Sequence, residues 1–308
     1  MNSMSSGVPS GGKPAAAAAS AASGGMAALR ALLRNRWIRA LFRDPLTTAA
    51  TLFLLAVVLG AAFAPWISPY DPYRGVISER LLDPGTPGHW LGTDEQGRDL
   101  FTRLLYGGRM TLLSAIIPIG AATAIGLTLG MIAGHFGGWM HTLIMRTLDI
   151  FYAFPAVLLA IGVSAALGQG MASSLIALGI VFIAPIARVA ETTVRKVEAM
   201  EFVEAARAAG ASHLTILRTQ IFGNVISSVL AYSTTLLGVS VILASGLSFL
   251  GLGITPPTAE WGYMLNNLRN FIYTDPWIAI QPGVCIFLTA ISFNLIGDAL
   301  QAAREDGN

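Results

Sequence analysis

Apolar residues in this chain fall in long uncharged runs, not in the alternating or one-faced stripes of soluble strands and helices. A helix needs about 20 apolar residues to cross a hydrocarbon core of about 30 Å. Runs of that kind occupy residues 46–67, 110–134, 147–167, 171–187, 225–250 and 277–297, the third carrying one acid, Asp149, near its start. They predict an all-α integral membrane protein with six transmembrane helices and both termini on one side. An outer loop over 68–109 mixes acids, bases, Pro and Gly. An inner loop over 188–224 reads as a bracket of two short helices. The first covers 191–209, free of Gly and Pro; Gly210 suits the left-handed position that ends a helix, and Ser212 the cap that starts the next. Residues 1–25, rich in Ala, Gly and Ser, read as a disordered cytoplasmic tail. A basic juxtamembrane segment, 26–45, and a short cytoplasmic tail, 301–308, flank the transmembrane body at 46–300. The first run is longer than a signal-peptide core and sits too far from the start, so it reads as a retained helix.

Composition agrees. Hydrophobic residues make up 54% of the 308 and charged residues 12%, with a mean hydropathy of +0.63. Such a chain lacks the charge to cover a soluble core. The net charge of +2 argues against a nucleic-acid partner, and the single cysteine, Cys285, excludes an internal disulfide or a redox dithiol. Of the 19 Lys and Arg residues, thirteen fall on the side that holds the termini and six on the other. The positive-inside rule therefore puts both termini and the bracket in the cytoplasm. No His-Glu-x-x-His motif, Walker-type phosphate loop or Gly-x-Ser-x-Gly elbow occurs. We expect no catalytic residue, no metal and no cofactor in this chain, and energy supplied by another subunit.

The bracket carries the most distinctive segment, Glu204-Ala205-Ala206-Arg207-Ala208-Ala209-Gly210. Small side chains around one helical turn let another surface approach the backbone, and Glu204 and Arg207 at i, i+3 supply charges that would fix its register. A plain Ala-rich surface helix with a weak ion pair accounts for the same residues. Glu-Ala-Ala, three residues, then Gly resembles the EAA loop of the membrane subunits of binding-protein-dependent ABC importers. Other motifs stand in the order of one subfamily: Gly92-Thr93-Asp94-Glu95-Gln96-Gly97-Arg98-Asp99 before Arg103, Met145-Arg146-Thr147-Leu148-Asp149 with Phe154-Pro155, Ser248-Phe249-Leu250-Gly251-Leu252-Gly253, Glu260-Trp261-Gly262, and Phe293-Asn294-Leu295-Ile296-Gly297-Asp298. Together they resemble the second, C-type membrane subunit of the oligopeptide, dipeptide, glutathione and nickel importers, over about residues 43–300. Ile221-Phe222-Gly223-Asn224 lacks the proline usual at the end of the bracket, where Gly223 is expected to break the helix instead, and the C-terminus lacks the family's acidic-proline ending.

The resemblance implies a type I, MetI-like permease fold whose coupling helix, through Glu204, Ala205, Ala206, Arg207 and Gly210, docks on a cytoplasmic ATPase. It implies as partners a homologous second permease subunit, two ATPase subunits that bind ATP and Mg, an extracytoplasmic substrate-binding protein, and the bacterial inner-membrane bilayer. Asp94, Arg98, Asp99, Glu260 and Trp261 become candidates for contact with the binding protein, or braces of the outer loop. Dipeptides or oligopeptides are the default substrate, with glutathione and nickel complexes as alternatives. A channel or secondary transporter ranks below, for want of midplane charges. Gly126, Gly130 and Gly134 predict close helix packing, and Arg146 with Asp149 an interfacial ion pair.

Overall fold

A computed structural model of the chain describes residues 36–305; the expected N-terminal tail, the first half of the basic segment and the last three residues lie outside them. Helices α1 (Arg36–Leu41) and α2 (Pro45–Ala62) meet at Asp44, whose carboxylate caps α2 by accepting from Thr47 N at 2.8 Å, with Pro45 at the first helical position. The first apolar run breaks at Phe63, because Pro65 forms a separate turn, α3 (Ala64–Ile67). Arg109 donates to the freed carbonyls of Ala61 and Ala62 at 3.1 and 3.2 Å.

Helix α4 (Leu100–Phe136) is 37 residues long, about 55 Å at the standard rise, so it extends well beyond a hydrocarbon core. The predicted outer loop therefore ends at Asp99, which caps α4 through Thr102 N at 2.7 Å. The third run is not one rod: α5 (Gly138–Tyr152) and α6 (Ala156–Leu167) meet at 89°. Pro155 cannot donate to the ladder and pushes Phe154 away from helical geometry, which makes the corner.

Helix α7 (Met171–Glu198) runs eleven residues past the expected end at 187. The predicted bracket helix over 191–209 is thereby corrected. Residues 191–198 finish α7, the chain breaks at Ala199 and Met200, and only α8 (Glu201–Ala208) is free-standing. Gly210 has φ +82° and Ser212 accepts from Thr215 N at 3.3 Å, as expected. Helix α9 (His213–Ile216), a wide π turn (Leu217–Ile221) and α10 (Phe222–Phe249) follow without interruption. Gly223 therefore breaks nothing: 213–249 runs on as one helix with the π turn inside it. After a short outer helix, α11 (Trp261–Leu268), α12 (Pro276–Glu305) closes the chain and absorbs most of the supposed tail.

Helices α4 and α7 form the central pair, and the glycine stripe explains it. A Cβ on Gly126 would sit 2.9 Å from Ile183 O, one on Gly130 2.5 Å from Ala190 Cβ and closer still to Ala187 O, and one on Gly134 2.7 Å from Val194 Cβ. Ascending numbers meet ascending numbers, so α4 and α7 are parallel and end together. Chain direction must reverse between them, and the bent α5–α6 pair makes that return: Ser164 donates to Leu252 O at 3.3 Å and Gly170 N to the same carbonyl at 3.4 Å, at the end remote from the bracket. Helix α10 packs on α12 through Gly238, where a Cβ would stand 2.5 Å from Ala290 O.

One buried cluster, including Leu127, Leu178, Phe182 and Ile186, continues through Val194 into Val203, Ile216, Ile221 and Val225. The bracket is thus bolted to the bundle by the same core that holds the spans together. Leu52, Leu55, Val58 and Leu59 on α2, and Ile280, Phe287 and Ile291 on α12, remain exposed, as suits faces turned to lipid.

Candidate functional site

Two regions carry the residues singled out by sequence, and the structure treats them differently. At the bracket, α8 has one inward residue, Val203, fully buried in the main core, with Ala206 packed against it. Phe202, Glu204, Ala205, Arg207, Ala208 and Gly210 face outward. Met200 and Leu214 add exposed apolar surface on either side. The result is a short helix held from beneath, with a low, Ala-lined outer surface and an acid at its centre. It offers a seat for another protein's surface.

The Glu204–Arg207 pair of the plain surface-helix reading does not form. Arg207, half exposed, donates instead to Glu198 Oε2, at the end of α7. Glu198 also takes His135 Nδ1 from the end of α4, and His135 Nε2 lies 3.0 Å from His213 Nδ1 at the start of α9. Sequence reasoning missed His135, Glu198 and His213; the signal available was a histidine directly after the Gly126–Gly130–Gly134 stripe, at the tip of the most tightly packed helix. Two turns earlier on α7, Glu191 takes Arg195 and, at 3.2 Å, His141. Asp149 likewise pairs with Arg188 rather than with Arg146, because the α5–α6 bend brings α7 alongside it.

At the outer end, all five candidate contact residues are buried: Asp94 is 2% exposed, Arg98 4%, Asp99 5%, Glu260 0% and Trp261 2%. Asp94 accepts from the backbone of Gln96 and Arg98 at 2.8 and 3.0 Å and from Arg98 Nε at 2.6 Å, and lies 3.2 Å from Arg103 Nε. Arg103 in turn donates to Pro72 O at 2.8 Å. Asp99 joins its helix cap to His89 Nδ1 at 2.9 Å.

Glu260 caps α11 through Gly262 N and Tyr263 N, both at 2.9 Å, and accepts from Thr111 Oγ1 at 3.0 Å. Burial holds its carboxyl above the ordinary range despite those donors. Burial, and then the neighbouring Asp94 charge, push Glu95 the same way. Trp261 donates to Leu104 O at 2.8 Å, and its ring lies over Gly107 and Gly108, where a Cβ would come within 3.0 and 2.9 Å.

These side chains brace the outer lobe: Asp94, Asp99 and Glu260 are supplied by internal donors, while Arg103 Nε and Nη2 find no hydrogen-bond partner among the described residues. Several outer aromatics are exposed, Trp66, Trp90, Tyr273 and Trp277 among them, beside exposed charges such as Asp71, Arg74 and Arg80.

Comparison with known proteins joins this geometry to a family. A family model described as binding-protein-dependent transport system inner membrane component matches residues 126–306, and one described as the N-terminal TM domain of oligopeptide transport permease C matches residues 28–84. The glutathione transport system permease protein GsiD of Pectobacterium atrosepticum is 40% identical over 278 residues, 90% of this chain and 92% of that protein. The protein of the same name from Escherichia coli O6:K15:H31 is 41% identical over 263 residues, 85% of this chain and 87% of that one. A solved structure of the MetNI methionine ABC transporter, in inward-facing conformations, shares the fold with a TM-score of 0.51 at 17% identity, over 66% of this chain and 95% of that one. The chain belongs to the binding-protein-dependent transport system inner membrane components, as a multi-pass permease subunit of an ABC importer.

Proposed function

We propose that this subunit forms half of a translocation path for short peptides, with glutathione as the first substrate to test, and that its bracket docks on a cytoplasmic ATPase. The observation that carries the docking assignment is the construction of α8. Val203 is bolted into the core shared by α4, α7 and α10, while Glu204, Ala205 and Arg207 lie on the outer surface. A surface that moves with the span core and is open to a partner is what coupling requires, since a ligand shifts a conformational equilibrium only through contacts that differ between states. The peptide class rests on the match to an oligopeptide permease domain and on relatives named for glutathione transport.

In this reading a homologous permease subunit completes the path, and two separate ATPase subunits bind ATP and Mg. An extracytoplasmic binding protein delivers the substrate. ATP-driven closure of the ATPases carries the two brackets together and rocks the spans outward-open; hydrolysis resets them. Both chain termini lie in the cytoplasm, on the side of the bracket. The buried acids of the outer lobe leave the exposed aromatics Trp90 and Tyr273 as the better candidates for touching the binding protein.

The test is co-expression with the neighbouring genes, purification of the assembly, and ATPase measurement with the binding protein plus glutathione, dipeptides or a nickel complex. Stimulation by glutathione or dipeptides in an assembly holding two ATPase subunits supports the reading. A stable permease that recruits no ATPase overturns the docking assignment, and stimulation by nickel alone overturns the peptide class.

A further inference from the structure

We propose that His135 is a positioning residue for coupling. Through a hydrogen-bonded chain His213–His135–Glu198–Arg207 it clasps the bracket to the ends of α4 and α7, and the clasp closes only while the two imidazoles share fewer than two added protons. This rests on the reading of the bracket as the ATPase-docking element.

Four elements meet at this point. The side chain of His135, last but one in α4, is completely buried, and that of Glu198, last in α7, is 14% exposed. Glu198 divides its oxygens, Oε1 taking His135 and Oε2 taking Arg207 from α8. His213, first in α9, meets the far side of the His135 ring, the two rings standing at 77° with centroids 5.1 Å apart. Phe136 closes over both, 4.9 Å from His135 and 5.8 Å from His213. Glu198 thus holds the outgoing helix of the bracket and His135 the returning one. Between those two anchors the chain turns at Gly210.

Proton placement follows from which atoms face each other. Ionised Glu198 can only accept, so His135 Nδ1 carries a hydrogen. His135 Nε2 and His213 Nδ1, 3.0 Å apart, then need one hydrogen between them. With both rings neutral, His213 donates and His135 accepts. With one added proton, His135 donates from both nitrogens and His213 accepts. With two, N–H opposes N–H, two cations adjoin, and the contact opens. The charged groups facing the pair are Glu198 from α7 and Arg207 from α8; Glu191, with Arg195 and His141, lies two turns back along α7. Opening requires the second of those protons, so acidification is the perturbation that tests the clasp.

Asn can stand in for His213, because its amide presents a donor or an acceptor near the Nδ1 position and takes up no proton on acidification; Leu cannot. The assembled importer should be compared as wild type, His213→Asn, His213→Leu and His135→Phe between pH 8 and 5.5, reading substrate-stimulated ATPase and the hydrogen exchange of residues 201–216. At pH 7.5 we expect His213→Asn to couple like wild type. His213→Leu and His135→Phe should lose about five-fold or more of the stimulation, the lower range of measured couplings, with faster exchange in the bracket. On acidification wild type should lose stimulation and gain exchange, and His213→Asn should do neither. Identical pH profiles for wild type and His213→Asn, or wild-type exchange in His135→Phe, overturn the clasp. Exchange that follows the expected pattern in a chain that binds no ATPase supports the clasp and faults the docking reading instead.

Discussion

Individual residues in this subunit act mostly by what they leave out. Gly130 is the clearest case: with no Cβ it lets the backbone of α4 lie against Ala187 and Ala190 of α7, whereas Gly120, on the exposed side of the same helix, meets nothing within 4 Å of the added atom. In lipid such contact replaces the hydrophobic effect as the force between helices. Gly130→Val should therefore destabilise the purified subunit by about 1–3 kcal/mol, the usual cost of overpacking, and lower its melting temperature in detergent. Gly120→Ala should be neutral, or stabilising by up to about 1 kcal/mol through helix propensity. Equal melting temperatures for the two variants would show that α4 and α7 do not depend on this approach. Polar residues follow the opposite logic. Asp94, Asp99 and Glu260 each gather several donors, and a buried acid so supplied is a strut.

At the scale of elements, the bracket combines what sequence could and could not foretell. Gly210 adopts φ +82° with open space around it, so a side chain there meets no neighbour and the cost of replacement is purely that of the backbone, about 1–2 kcal/mol for an ordinary L-residue. Gly210→Val is expected to disturb the turn and sharply reduce recovery of ATPase subunits in co-purification. Gly210→Asn, whose side chain tolerates this region, should retain most of it, and equal recovery from both would mean that the turn does not shape the docking surface. This turn, the Ser212 cap and the apolar runs were legible because each depends on residues close in the chain. The division of 191–209 was not, since Ala199 and Met200 are no helix breakers and their irregularity serves to seat Val203 in the core. Nor were the true ion pairs: Arg207 with Glu198 and Arg188 with Asp149 lie nine and 39 positions apart, and only the fold makes them neighbours. For the outer lobe, charge read in sequence suggested a contact surface, but helix caps and a buried Arg cluster claim the same residues.

For the whole molecule, the parallel pairing of α4 with α7 decides how many times the chain is expected to cross. By length and apolarity alone five helices qualify, with a sixth crossing only if the bent α5–α6 pair counts as one. Both α4 and α7 end at the bracket, where His135 meets Glu198, so the 137–170 segment must bring the chain back to the far end before α7 begins. Legs of 15 and 12 residues are about 22 and 18 Å long, and at 89° their ends stand about 29 Å apart, close to the thickness of a hydrocarbon core. A bent pair of that span crosses without either leg being long enough alone. Six crossings are then the expected count, consistent with the excess of Lys and Arg on the bracket side. With Cys285 replaced, single cysteines at Thr86 and Gln169 should react with an impermeant thiol reagent from outside intact cells, and one at Ser212 only after the membrane is opened. Protection of Gln169 together with Ser212 would mean that α5 and α6 dip into the bilayer and return, and the charge count could then no longer place the bracket and both termini in the cytoplasm.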